Sequence, residues 1–107
     1  MLKTVTIGDV EVEILSNAAT PYRYNMVFHD DLILKTANGM NEAEAVEIAP
    51  RLCYIMAQQA QKGDLSKLSE DRFLAWLEQF EFMDVIEASG DIIEAYIASK
   101  KTSSVPK

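Results

Sequence analysis

Lys3-Thr4-Val5-Thr6-Ile7-Gly8-Asp9-Val10-Glu11-Val12-Glu13-Ile14-Leu15 is the stretch on which the fold turns. Apolar and polar residues alternate on both sides of a Gly-Asp pair, the period of a strand with one covered face. Gly8 can supply the positive φ needed at the first central position of a type II′ turn, so the segment reads as a β-hairpin. Val10, Val12 and Ile14 share one face, with Glu11 and Glu13 on the other. A lone hairpin is marginal in water, so its apolar face needs helices to lie on.

The remainder of the chain supplies them. Thr20-Pro21 places a capping hydroxyl before a proline suited to the first helical position. Tyr22, Tyr24, Met26, Val27 and Phe28 then give a broad apolar surface, with Leu32 four residues beyond Phe28, which predicts a helix running on through His29-Asp30-Asp31 until Asn38-Gly39. Asn41 with Glu44 three residues later forms a capping pair, and Leu52, Ile55, Met56 and Gln59 keep helical spacing to Lys62-Gly63. Pro50 predicts a kink or a fresh helix start within that run. Ser69 caps a helix carrying Phe73, Trp76, Leu77 and Phe80 at i, i+3, i+4 and i+7, the clearest amphipathic pattern in the chain. Val85-Ile86 and the group Ile92, Ile93, Tyr96 and Ile97 are separated by Ser89-Gly90, which predicts a break between two helices. The fold expected is therefore α+β and mainly helical: an N-terminal two-stranded β-hairpin packed on four or five α-helices. Residues 1–99 form a single domain, and 100–107, with almost no apolar content, form a disordered C-terminal tail.

A chain of 107 residues buries one modest core, and 49% hydrophobic with 25% charged residues is ordinary globular usage. Seventeen acids against ten bases give a net charge of -7, which repels phosphate backbones and argues against direct nucleic-acid binding. The last eight residues hold three lysines and no acid, so residues 1–99 carry seven bases and seventeen acids, or -10. Met1-Leu2-Lys3-Thr4 lacks the basic-then-apolar pattern of a secretory signal, and no apolar run approaches the roughly 20 residues of a membrane span, so a cytoplasmic protein is expected. One cysteine, Cys53, cannot close an internal disulfide.

The residues offer little chemistry. His29 beside Asp30 and Asp31 lacks the further ligands of a metal site, and this reads as a solvated acidic turn. Cys53 between Leu52 and Tyr54 reads as a small core hydrophobe. Gly8 and Gly39 stand alone, so no phosphate-cradling loop exists. No catalytic residue, metal or cofactor is expected. On this helical spacing Phe73, Leu77 and Phe80 read as core, while the aromatic residues Trp76 and Phe82 are candidates for an interface or an oligomer contact.

These residues resemble a known family. The hairpin followed by Ala18-Ala19-Thr20-Pro21-Tyr22-Arg23-Tyr24, Phe28 and Asp31-Leu32-Ile33 is similar to the opening of tail assembly chaperones from long-tailed bacteriophages and prophages of Gram-positive bacteria. Leu52-Cys53-Tyr54-Ile55-Met56-Ala57-Gln58-Gln59-Ala60, Phe73-Leu74-Ala75-Trp76-Leu77-Glu78-Gln79-Phe80 and Asp84-Val85-Ile86-Glu87-Ala88 extend the likeness over roughly residues 3 to 98. The resemblance implies a non-enzymatic helper that binds the hydrophobic, helical tape measure protein, keeps it soluble and leaves as the tail tube forms. It would act in the cytoplasm of the bacterial host and be absent from the mature virion. In the family a translational frameshift often appends a second domain that recruits tail tube protein, and Lys100-Lys101 is a place where a run of adenines could be encoded.

An apolar helix surface suits such a partner, while excess acid keeps the complex soluble. The residues expected to bind the partner are Trp76, Phe80, Phe82 and Met83, with Tyr22 and Tyr24 as a second group. Two rival readings are a structural tail component or adaptor retained in the virion, and an acidic DNA-mimic regulator whose acids would have to line one surface.

Overall fold

The computed structural model describes residues 2–103, with side chains described for 2–98. Strands β1 (Leu2–Ile7) and β2 (Val10–Leu15) pair antiparallel, with Val5 opposite Val12 and Ile7 opposite Val10. Gly8 adopts φ +62 while Asp9 stays out of the positive-φ region, the combination a type II′ turn requires. Val5, Ile7 and Ile14 are buried, Val12 is half-buried, and Glu11 and Glu13 face solvent, as the alternation predicts, but Val10, beside the turn, is exposed, so the covered face stops short of it.

Among the described residues five α-helices follow: α1 (Thr20–Phe28), α2 (Leu32–Asn38), α3 (Glu42–Gln61), α4 (Glu70–Leu77) and α5 (Phe82–Ser103), with a 3₁₀ turn at Leu65–Lys67. The architecture is α+β and mainly helical, with the hairpin packed on the helices. Helix α3 is its axis: Leu52 to Ala57 are all buried, and the helix touches β2, α1, α4 and α5. A helix buried on every side needs apolar residues all round, which Leu52-Cys53-Tyr54-Ile55-Met56-Ala57 provides. Its start is a full capping box: the Glu44 N–H donates to Asn41 Oδ1 at 2.8 Å and the Asn41 N–H donates to Glu44 Oε1 at 3.2 Å.

Several boundaries differ from the sequence expectation, each for a local reason. Helix α1 stops at Phe28 instead of continuing, because His29 turns left-handed (φ 53) and donates its N–H to the Asn25 carbonyl. Asp31 then caps α2 by accepting from the Leu34 N–H at 2.9 Å. Thr20 is not the cap of α1; its hydroxyl instead accepts from the Asn17 N–H at 3.0 Å and from Gln59 Nε2 at 2.9 Å. Pro50 lies inside α3, which continues across it, so the proline costs one helical hydrogen bond without splitting the helix.

The break expected at Ser89-Gly90 does not occur. Helix α5 passes through both residues; the Ser89 hydroxyl donates to the Val85 carbonyl at 3.1 Å, and no atom would lie within 4 Å of a Cβ at Gly90. Lys100 to Ser103, part of the tail expected from the sequence, belong to α5, and residues 104–107 lie outside the described residues.

Candidate functional site

Five aromatic contacts form a file from the core to the surface. Tyr24 meets Phe28 with ring centroids 5.1 Å apart, Phe28 meets Phe73 edge-on at 5.2 Å, and Tyr54 lies 5.7 Å from Phe73. Tyr54 then meets Trp76 at 5.7 Å, and Trp76 meets Phe80 edge-on at 5.1 Å. Tilted and edge-on geometries set the positive rim of one ring against the negative face of the next, so the file is held by more than burial alone. Phe73, in the middle of the file, is buried, whereas Leu77, Trp76 and Phe80 are half-buried and pack against the core from outside.

Two residues beyond Phe80 the file gives way to solvent. Phe82 is 74% exposed and Met83 60% exposed at the start of α5. Large apolar side chains held open on a folded surface are the usual mark of a contact face when they lie together. Of the residues expected to bind a partner, Trp76 and Phe80 thus pair with each other against the core at the end of α4, while Phe82 and Met83 stand open two and three residues further along the chain.

The second group divides. Tyr22 is 62% exposed and stands one turn from Met26, 76% exposed, so these two form a separate patch on α1. Tyr24 is 0% exposed: it lies in the core, its hydroxyl donating to Asp30 Oδ2 at 3.1 Å, and it has no surface to offer a partner. Tyr22 with Met26 and Tyr24 with Phe28 are both i, i+4 apolar pairs, and the sequence carries nothing to say which pair points inward. Met26 was the residue missed; it borders a groove of about 430 Å³ between α1 and the 3₁₀ turn, with Val27, Leu65 and Leu68. A smaller cleft of about 260 Å³ is also lined by Leu68, with Tyr54, Arg72 and Trp76.

Charge is unevenly divided over the fold. No lysine or arginine occurs from Thr4 to Tyr22 or from Phe73 to Ser99, stretches that hold Asp9, Glu11 and Glu13 on the hairpin and six acids from Glu78 to Glu94. The two stretches meet, because a Cβ at Gly8 would stand within 3.0 Å of the Asp84 carboxyl carbon, so the first turn of α5 abuts the hairpin turn. Apart from Lys3, the basic residues of the 1–99 body lie between Arg23 and Arg72, several of them engaged: Arg23 donates to Gln59 Oε1 at 2.8 Å, Lys35 bridges Asp30 at 2.8 Å, and Arg51 stands over the Phe28 ring at 5.6 Å.

The displaced titratable groups owe their shifts to partners or to burial. The ammonium of Lys35, with the Tyr24 hydroxyl as a second donor, holds the Asp30 carboxyl below its ordinary value. Asp30 is therefore ionised more readily in the folded than in the unfolded chain, so its contribution is present above the ordinary carboxylate range and is lost as pH falls through the lowered value. Asp30→Asn is expected to lower the urea midpoint at neutral pH, and the gap from wild type should narrow as pH falls through the lowered value. Burial pushes the Cys53 thiol up to about 12, which leaves it without thiolate at neutral pH. A thiol reagent such as dithionitrobenzoate is expected to react with Cys53 only in denaturant; prompt reaction in buffer would contradict the packing of α3.

Among the described residues no group of three His, Cys, Asp or Glu side chains is placed to hold a metal ion, and no helix is long and apolar enough to cross a membrane. Comparisons with protein-family models, with curated proteins and with solved structures returned no match.

Proposed function

We propose that this chain is a non-enzymatic tail assembly chaperone of a long-tailed bacteriophage, which binds the tape measure protein and keeps it soluble during tail morphogenesis. The observation that carries the reading is the exposure of Phe82 and Met83 at the start of α5, just after the Trp76–Phe80 pair in the chain. The likeness of residues 3 to 98 to that family supports it. An amphipathic helix of the partner lays its apolar side on these exposed side chains, as in other helix-receiving surfaces. The acidic balance of -7 keeps the loaded complex soluble through mutual repulsion. Tail tube protein displaces the chaperone as it polymerises, and a frameshifted longer form would recruit that tube protein. The chain acts in the host cytoplasm and leaves before the virion is complete.

The proteomes of the infected-cell lysate and of purified virions test this reading. The chain is expected in the lysate and not in the particle. Its presence in virions at a fixed stoichiometric ratio would make it a structural tail component instead.

A further inference from the structure

Phe82 and Met83 do not stand in a neutral surrounding. Glu81 precedes them, Asp84 follows them, and Glu87 lies one turn beyond Met83 on the exposed side of α5, succeeded by exposed Asp91 and Glu94. The packing of Asp84 against Gly8 brings Asp9, on the hairpin turn, to the same corner. No basic side chain belongs to either of the two stretches that build this corner.

We propose that the hairpin turn and the exposed side of α5 form a docking face for a basic amphipathic helix, with Phe82 and Met83 as apolar anchors and Asp9, Glu81, Asp84 and Glu87 as the acids that pair with its lysines and arginines. The proposal rests on the reading of the chain as a binder of a helical partner and specifies that partner's chemistry. Met83, Glu87, Asp91 and Glu94 recur at steps of three and four residues, the spacing at which a helix lying alongside α5 presents its own side chains. Nucleic acid and anionic lipid are repelled by such a surface. A second copy is disfavoured, because in a two-fold contact the same patch meets itself and Glu81, Asp84 and Glu87 face their own duplicates. A neutral apolar helix would cover the anchors while leaving the acids unpaired, so the surface selects positive charge through electrostatic complementarity.

The test uses the full chain and a synthetic amphipathic peptide of about 18 residues, leucine on one side and lysine on the other. The same peptide with glutamate in place of lysine is the counter-probe, and binding is followed by calorimetry and by backbone amide shifts. The lysine peptide is expected to bind, shifting amides near Asp9 and from Glu81 to Glu87, while the glutamate peptide does not. Phe82→Ser should weaken binding about tenfold with little change in salt dependence. Asp9→Asn with Glu81→Gln should weaken it about three- to tenfold at low salt and reduce the salt dependence.

Glu42→Gln with Glu47→Gln removes the same charge from α3 and should change affinity less than about twofold. Equal weakening by the two double variants, or amide shifts spread over the molecule, would mean non-specific attraction to net charge and would overturn the proposal. So would a dimer in sedimentation that Phe82→Ser dissociates, since the face would then be a self-contact. A chain that solubilises the tape measure protein yet fails the peptide test would sink this proposal alone and leave the chaperone reading standing.

Discussion

Phe73→Ala is expected to destabilise the protein by about 3–5 kcal/mol, the range for deleting a buried aromatic ring. The ring meets Phe28 edge-on and Tyr54 at a tilt, so the substitution removes two aromatic pairs as well as apolar area. It is also the one buried residue of α4, in which only Trp76 and Leu77 are otherwise half-buried. Set against the ~5–15 kcal/mol of a typical domain, the loss is a large share of the whole. Urea unfolding followed by circular dichroism measures it, and hydrogen exchange should show the α4 amides losing protection before those of α3. Phe73→Leu keeps most of the volume and should cost about 1–2 kcal/mol. An alanine variant within about 0.5 kcal/mol of wild type would show that α4 is not anchored through this ring.

The second large effect concerns a polar side chain. Gln59 is buried, and its amide donates to the Leu15 carbonyl at 2.6 Å and to Thr20 Oγ1 at 2.9 Å while its oxygen accepts from Arg23 at 2.8 Å. One side chain therefore ties the end of β2, the start of α1 and the last turns of α3 together. Gln59→Leu preserves the volume and strands the partners, so the cost is their desolvation, about 2–4 kcal/mol, and not the smaller net worth of the bonds themselves. Gln59→Glu keeps the acceptor toward Arg23 and can accept from the Thr20 hydroxyl, but it sets a carboxylate oxygen against the Leu15 carbonyl in a buried site, and it should also lower stability at neutral pH. Thermal unfolding of the three proteins distinguishes these expectations; a leucine variant as stable as wild type would show that water replaces the amide.

Gln59 also shows what the sequence leaves open. Its helical spacing was plain, yet nothing local says that a glutamine there is enclosed, because its partners lie 36 to 44 residues away. The hairpin was legible because alternation and a Gly-X turn are both local, and the starts of α3 and α4 because Asn41, Glu44 and Ser69 cap within three residues. Ser89-Gly90 misled because a glycine signals a break only on average. Here the long apolar face of α5, with Ile92, Ile93 and Tyr96 buried beyond the glycine, outweighs its poor helix propensity. The candidate site was half legible: the aromatic spacing picked out Trp76 and Phe80, and the same spacing could not distinguish Tyr22 from Tyr24, which differ only in the way their helix is turned.

The chaperone reading predicts distinct behaviour for exposed and for packed aromatic residues. Trp76→Ala and Phe80→Ala disturb a ring pair within the fold, so loss of binding in those variants has two explanations, whereas Phe82→Ser and Met83→Ser remove side chains that already face solvent. Co-expression of the chain with the tape measure protein of the same genome, followed by affinity capture from the soluble fraction, tests the account most directly. The tape measure protein is expected to become soluble and to co-purify with the wild-type chain, and to be lost with the folded Phe82→Ser, Met83→Ser double variant. A tape measure protein that stays insoluble and uncaptured, or one that the double variant holds as well as wild type does, would contradict it.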